Sequence, residues 1–166
     1  MAGGEAVAER GCAMSPDELK ARARRLPEEL LTQGDLAVAD ELLAPDCLHH
    51  APAPLAPGGE GLKRWVAALR RAFPDLCAIL EDEIAEGDTV VQRLTLSGTH
   101  VGTFLGVPPT GRRASWQVVA ILHLNPDGKI TEQRILADHL GVLQQIGALP
   151  LADDRRREAA DAALGS

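Results

Sequence analysis

Two stretches of period-two alternation dominate the second half of the chain. Apolar residues alternate from Val90 to Leu96 and again from Trp116 to Leu124, the pattern of strands with one buried face. Between them runs Gly98-Thr99-His100-Val101-Gly102-Thr103-Phe104-Leu105-Gly106-Val107-Pro108-Pro109-Thr110-Gly111-Arg112. Its four glycines and its Pro-Pro pair turn the backbone at least twice. This predicts an irregular connection, with His100 near its start, between two long antiparallel strands. Strands are predicted at Leu76–Ile84, Thr89–Ser97, Ala114–Leu124 and Lys129–Ala137, with turns at Glu86-Gly87-Asp88 and Asn125-Pro126-Asp127-Gly128.

The first half carries the helical period instead. Ser15-Pro16-Asp17-Glu18 reads as a helix start, with Ser15 as cap, Pro16 at the first helical position and Glu18 completing a capping box. Leu19, Leu26, Leu30 and Leu31 share one face, and Pro27 forces a kink or a restart. Asp35 can cap a short helix from Leu36 to Leu43, and Cys47–Ala51 reads as a short extended piece before a Pro- and Gly-rich loop. Glu60–Ala72 is a third helix, with Leu62, Trp65, Val66, Leu69 and Phe73 at helical spacing and Pro74 as its stop. Asp138 opens a last short helix that runs through Ile146. Helices first and a meandering sheet afterwards give an α+β class, a curved antiparallel sheet whose helices enclose a conical cavity. Residues 1–14 are expected to be a loose tail, 15–150 a single domain and 151–166 a charged tail.

Composition narrows the function. The 166 residues are 45% hydrophobic and 25% charged, a globular balance. A net charge of −7 argues against nucleic acid as a partner. No apolar run nears the ~20 residues that span a bilayer, so no membrane partner is expected. Met1–Met14 lacks the apolar core of a secretory signal, so a cytoplasmic location is expected. Cys12, Cys47 and Cys77 lack CxxC spacing and read as reduced thiols. Aromatics make up only 2%, with no tyrosine.

Asp138 ends a strand and begins a helix. By period-two counting it shares a face with Glu132, Arg134 and Leu136. If Ile130 and Leu136 line the interior, Asp138 sits at the cavity wall, where a partly desolvated carboxylate can work as acid or base. The plainer alternative is a helix cap accepting from the amides of Leu140 or Gly141. His49 and His50 are adjacent, so only one can point inwards; His100 could face the same cavity, with a loop position as its alternative. His123 reads as solvent-facing or as serving a cross-strand contact, and His139 as serving only the helix start. Arg134 could hold a substrate carbonyl or carboxylate, or simply pair with Glu132. No HxH, HExxH or paired Cys/His spacing supports a metal site of His50, His100 and Asp138. Neither a GxSxG elbow nor a phosphate loop is present.

Several separated pieces, in order, carry a resemblance: Gln33-Gly34-Asp35-Leu36, Glu41-Leu42-Leu43-Ala44-Pro45-Asp46, His50-Ala51-Pro52, Gly59-Glu60-Gly61-Leu62 and Ala72-Phe73-Pro74-Asp75-Leu76. The Gly98–Gly111 stretch, Asp127-Gly128-Lys129-Ile130, Asp138 and Leu143-Gln144-Gln145-Ile146-Gly147 complete it. From about Leu19 to Leu149 the chain resembles the SnoaL-like polyketide cyclases (ester cyclases) of the nuclear-transport-factor-2-like superfamily. That resemblance implies a cone-shaped α+β barrel with a deep pocket, a homo-oligomer (dimer or tetramer), and work without metal or cofactor. It implies ring closure by intramolecular aldol condensation of a polyketide ester. Asp138 matches the family's acid/base aspartate, and His50 and His100 match its histidines at the pocket mouth and wall. His100, His50 or Arg134 would then be the donor to the enolate oxygen.

Arg134 stands where many relatives carry an aromatic, and only Trp65, Phe73, Phe104 and Trp116 could stack on a substrate. The expected partner is therefore a small hydrophobic carbonyl compound, aliphatic or partly anionic rather than polyaromatic. Two other functions compete: a non-catalytic binder of a hydrophobic metabolite, and an isomerase or epoxide hydrolase using the same pocket. Val119, Ile121 and Val91 would be exposed on the outer sheet face unless a partner subunit covers them.

Overall fold

Ser15 and Glu18 exchange hydrogen bonds at the start of α1 (Pro16–Arg25): the Glu18 amide donates to Ser15 Oγ at 3.3 Å, and the Ser15 amide donates to the Glu18 carboxylate at 2.7 Å. This computed structural model describes residues 14–51 and 54–150, so both expected tails, 1–14 but for Met14 and 151–166, lie outside the described residues. Pro27 has no amide proton to continue the α-helical ladder, and the chain goes on as a π-helical segment, Leu26–Gln33. Gly34, at φ +78°, ends it.

Arg70, on α3 (Gly58–Ala72), donates from Nη1 to the carbonyls of Leu31 at 2.7 Å and Thr32 at 2.8 Å. It thereby satisfies the end of the π-helical segment and ties it to α3. Arg70→Met is expected to cost about 1–3 kcal/mol, because both carbonyls lose a charged donor. Thermal denaturation of the variant checks this.

The Ala37 amide donates to Asp35 Oδ1 at 3.0 Å at the start of α2 (Ala37–Leu42). The chain then passes directly into β1 (Leu43–His50). After α3 come β2 (Cys77–Glu86), β3 (Thr89–Thr99), β4 (Arg113–Leu124), β5 (Ile130–Ala137) and the short α4 (His139–Gln145). The five strands form one sheet in the order β1-β5-β4-β3-β2. β2–β3, β3–β4 and β4–β5 pair antiparallel, as the alternation predicts. β1 corrects the wholly antiparallel expectation. The short piece expected at Cys47–Ala51 is a full strand running parallel to β5, so the sheet is mixed.

α3 and the π-helical segment cover one face of this sheet. Alternate residues of β3 and β4, among them Val90, Leu94, Leu96, Trp116 and Leu122, meet them in the core. On β5 the alternation is interrupted. His123 pairs with Glu132, but the next residue, Leu124, pairs with Ile130, so Thr131 is an extra residue on the β5 side. This bulge reverses which parity faces inwards. Ile130 is in the core, whereas Leu136, of the same parity, is 66% exposed. Among the described residues no helix is long and apolar enough to cross a membrane.

Candidate active site

Between the inner sheet face and the two helical segments lies a cavity of about 170 Å³, roughly ten times the space one water needs. Leucines and other apolar side chains make up most of its wall, joined by Trp65, Phe104 and Trp116. Among the described residues only Gln92, Gln133 and His139 contribute polar side chains to the lining. Leu105 lines the cavity yet is 55% exposed, which marks the opening. It sits at φ +48° in the tight turn between Phe104 and Val107, whose backbones exchange two hydrogen bonds. His139 stands at the same opening, its ring edge-on to Phe104 with centroids 6.3 Å apart.

Asp138 separates two lining residues, Ala137 and His139, but its own side chain is exposed and outside the lining. The expected place on the inner wall is corrected to the rim, and the β5 bulge is the physical reason. Asp138 Oδ1 accepts from the Gly141 amide at 2.8 Å, capping α4, while Oδ2 accepts no bond among the described residues. A Cβ at position 141 would collide with this carboxylate, so Gly141 leaves the aspartate its place. The Asp138 amide donates to the Gln117 carbonyl at 3.0 Å. Gln145 clamps α4 to β4 by accepting from the Ser115 amide at 2.8 Å and donating to the Ser115 carbonyl at 2.7 Å.

The histidines and Arg134 are dispersed. His50 Nε2 lies 3.1 Å from Glu132, and Arg134 Nη2 donates to the same carboxylate at 2.7 Å; neither side chain lines the cavity. Both corrections follow from the outward parity of Glu132 and Arg134. His100 is fully buried but does not line the cavity either. Its Nδ1 is 3.0 Å from Thr110 Oγ1, its Nε2 is enclosed without a partner among the described residues, and its backbone bonds Gly111 and Arg112 to close the base of the connection. Phe73 is likewise a core residue, with the rings of His100, Phe104 and Trp116 centred 5.4, 5.2 and 5.2 Å away. Of the four aromatics expected to touch substrate, Trp65, Phe104 and Trp116 reach the cavity, and Phe73 supports Phe104 and Trp116. Among the described residues no group of three His, Cys, Asp or Glu converges to hold a metal ion. Burial pushes the Cys47 thiol up to about 12, with Asp46 and Glu132 adding to the shift, which leaves it a poor nucleophile.

Residues 21–146 match the SnoaL-like polyketide cyclase family. The chain belongs to that family. It is 37% identical over 108 residues to the aklanonic acid methyl ester cyclase DnrD of Streptomyces peucetius, covering 64% of this chain and 72% of that protein. It is 36% identical over 118 residues to the nogalonic acid methyl ester cyclase of Streptomyces nogalater, covering 69% of this chain and 87% of that one. The structure of TsrD from Streptomyces laurentii superposes with a TM-score of 0.76 at 31% identity, over 82% of this chain and 99% of that one.

His139, expected to serve only the helix start, lines this cyclase-family cavity, and two further polar groups escape a reading by residue type: Gln92 and Gln133. The signal that finds them is register. Gln92 pairs with Ala120, whose other neighbour is Ile135. Once Ala120 is known to face inwards, Gln92, Gln133, Ile135 and Ala137 follow by parity.

Proposed function

We propose that this chain closes a ring in a polyketide ester by an intramolecular aldol reaction at the mouth of the apolar cavity. The observation that carries this reading is the pairing of a largely apolar cavity with a carboxylate at its rim, one oxygen held by the Gly141 amide and the other free. The free Oδ2 of Asp138 takes the proton α to a carbonyl. The resulting enolate carbon attacks a second carbonyl of the same molecule, and the alkoxide so formed takes the proton back. His139, whose ring makes no hydrogen bond among the described residues, is the nearest side chain in sequence suited to donate to the enolate oxygen. It takes the role that family resemblance suggests for His50 or His100.

The curated relatives, by their names, act on methyl esters of aklanonic and nogalonic acid, which supports a polyketide methyl ester as the substrate class. Three of the four aromatic rings line the cavity and Arg134 does not. Together these favour a neutral, ring-bearing substrate over an anionic aliphatic one. Exposure of the protein to β-keto ester and ketone analogues in D₂O tests the chemistry. Deuterium uptake at the α-carbon above the buffer rate is expected; none with any analogue would remove enolisation.

A second copy of the chain is the proposed cover for the outer sheet face. Ile84 and Leu136 are each 66% exposed there, flanked by Val91, Val119 and Ile121 through direct cross-strand pairing. Light scattering is expected to give a dimer, and Leu136→Asp to shift it towards monomer. A monomeric wild type at tens of micromolar would contradict the proposal.

A further inference from the structure

Gln92 and Gln133 are 1% and 2% exposed, and both line the cavity. A primary amide can turn either its oxygen or its nitrogen towards a ligand, and the group behind it decides which. Behind Gln133 stands His49. His49 Nε2 lies 2.8 Å from the Gly58 carbonyl, which can only accept, so this nitrogen carries the proton. In the neutral ring Nδ1 is then an acceptor, and it lies 2.8 Å from Gln133 Nε2. The amide nitrogen must therefore face His49. Behind Gln92 stands the Glu83 carboxylate, which accepts from Gln92 Nε2 at 2.8 Å and from Arg24 Nε at 2.8 Å. A carboxylate held by an arginine only accepts, so this amide is fixed in the same sense.

Both oxygens are left over. Neither Oε1 accepts a hydrogen bond among the described residues, and the one fully enclosed, unpartnered side-chain atom among them is His100 Nε2. Each Oε1 thus opens on the cavity that its residue lines. We propose that Gln92 and Gln133 form an acceptor-only wall that selects substrates carrying hydrogen-bond-donating hydroxyl groups on their ring system. This rests on the reading of the cavity as the substrate site. The residues lie on β3 and β5 with β4 between them, and Gln133 aligns through Leu122 with Val90, two residues along β3 from Gln92, so their backbones are about 12 Å apart. That separation suits hydroxyls at opposite ends of fused rings. A ligand without donors buries two amide oxygens unpaired, and this penalty is the source of the selection.

The test uses three small ring compounds: a naphthalenediol with its hydroxyls at opposite ends, its dimethyl ether, and naphthalene itself. Calorimetric titration at neutral pH, where the phenols keep their protons, gives three affinities. Wild type is expected to prefer the diol to both others by about 10- to 100-fold. Gln133→Met and Gln92→Met, each checked for folding by circular dichroism, are expected to cut that preference about tenfold, chiefly by raising the affinity for the ether and the hydrocarbon, which no longer bury an unpaired amide oxygen. His49→Phe is expected to lower it with Gln133 intact, which a purely structural role for His49 would not do.

Equal wild-type affinity for all three ligands, a comparison that needs no variant, overturns the acceptor wall and leaves the cavity as the ligand site. A diol preference that survives both glutamine variants also overturns it. No binding by any of the three overturns the wall together with the cavity's role.

Discussion

Asp138→Asn is expected to lower ring closure, and α-deuterium exchange with it, by at least about a hundredfold, the usual range for loss of a general base. Its melting temperature is expected to stay close to wild type, because asparagine caps a helix about as well as aspartate. The pair of readouts separates two roles that coincide in one side chain. Oδ1 caps α4 through the Gly141 amide while Oδ2 is free. If capping were the only role, the variant would keep both its stability and its activity. Gly141→Ala approaches the same question from the backbone side. The added Cβ would displace the Asp138 carboxylate, which is the mobile end of a side chain. Turnover is expected to fall while the fold stays intact.

Phe73→Ala is expected to have the largest effect on stability, about 3–5 kcal/mol. Phe73 is completely buried and supports three rings, one of which belongs to His100. For a chain of this size the melting temperature falls by about 10 °C. Phe73→Leu keeps most of the volume and is expected to cost under about 1.5 kcal/mol. Because Phe73 does not line the cavity, the leucine variant should bind ring compounds within about twofold of wild type. A large loss of affinity in a well-folded Phe73→Leu protein would return this ring to the substrate.

How far the chain could be read in advance varied from one element to the next. The capping box of Ser15 and Glu18 spans four residues and involves no distant partner, so it was legible from four letters. The long strands β3 and β4 were legible because one of their faces is buried along its whole length, which writes the alternation into the sequence. Pro27 signalled an interruption, and the π-helical segment is the form it takes. The parallel pairing of β1 with β5 was not legible. It joins His49 to Gln133 and His50 to Arg134, and nothing local in either strand names a partner over eighty positions away.

The candidate site divides along the same line. Asp138 stood out because a carboxylate between a strand and a helix has few uses, and its capping bond is local. Which way it faces was a different matter. The common parity of Ile130, Leu136 and Asp138 suggested one shared interior face, and a single extra residue at Thr131 breaks that inference by reversing the strand's faces. Gln92 and Gln133 do not stand out in the sequence for a related reason. A glutamine on an apolar strand acquires meaning only when its neighbours on other strands are known, and the orientation of each amide depends on Glu83 or His49 across the sheet. The sequence by itself determined most of the elements, the family and the candidate aspartate, because caps, periodicity and turn chemistry act over a few residues. Only the tertiary structure decided the parallel edge, the outward turn of Arg134 and His50, and the polar groups of the cavity wall, because strand register and bulges are set by contacts between distant segments.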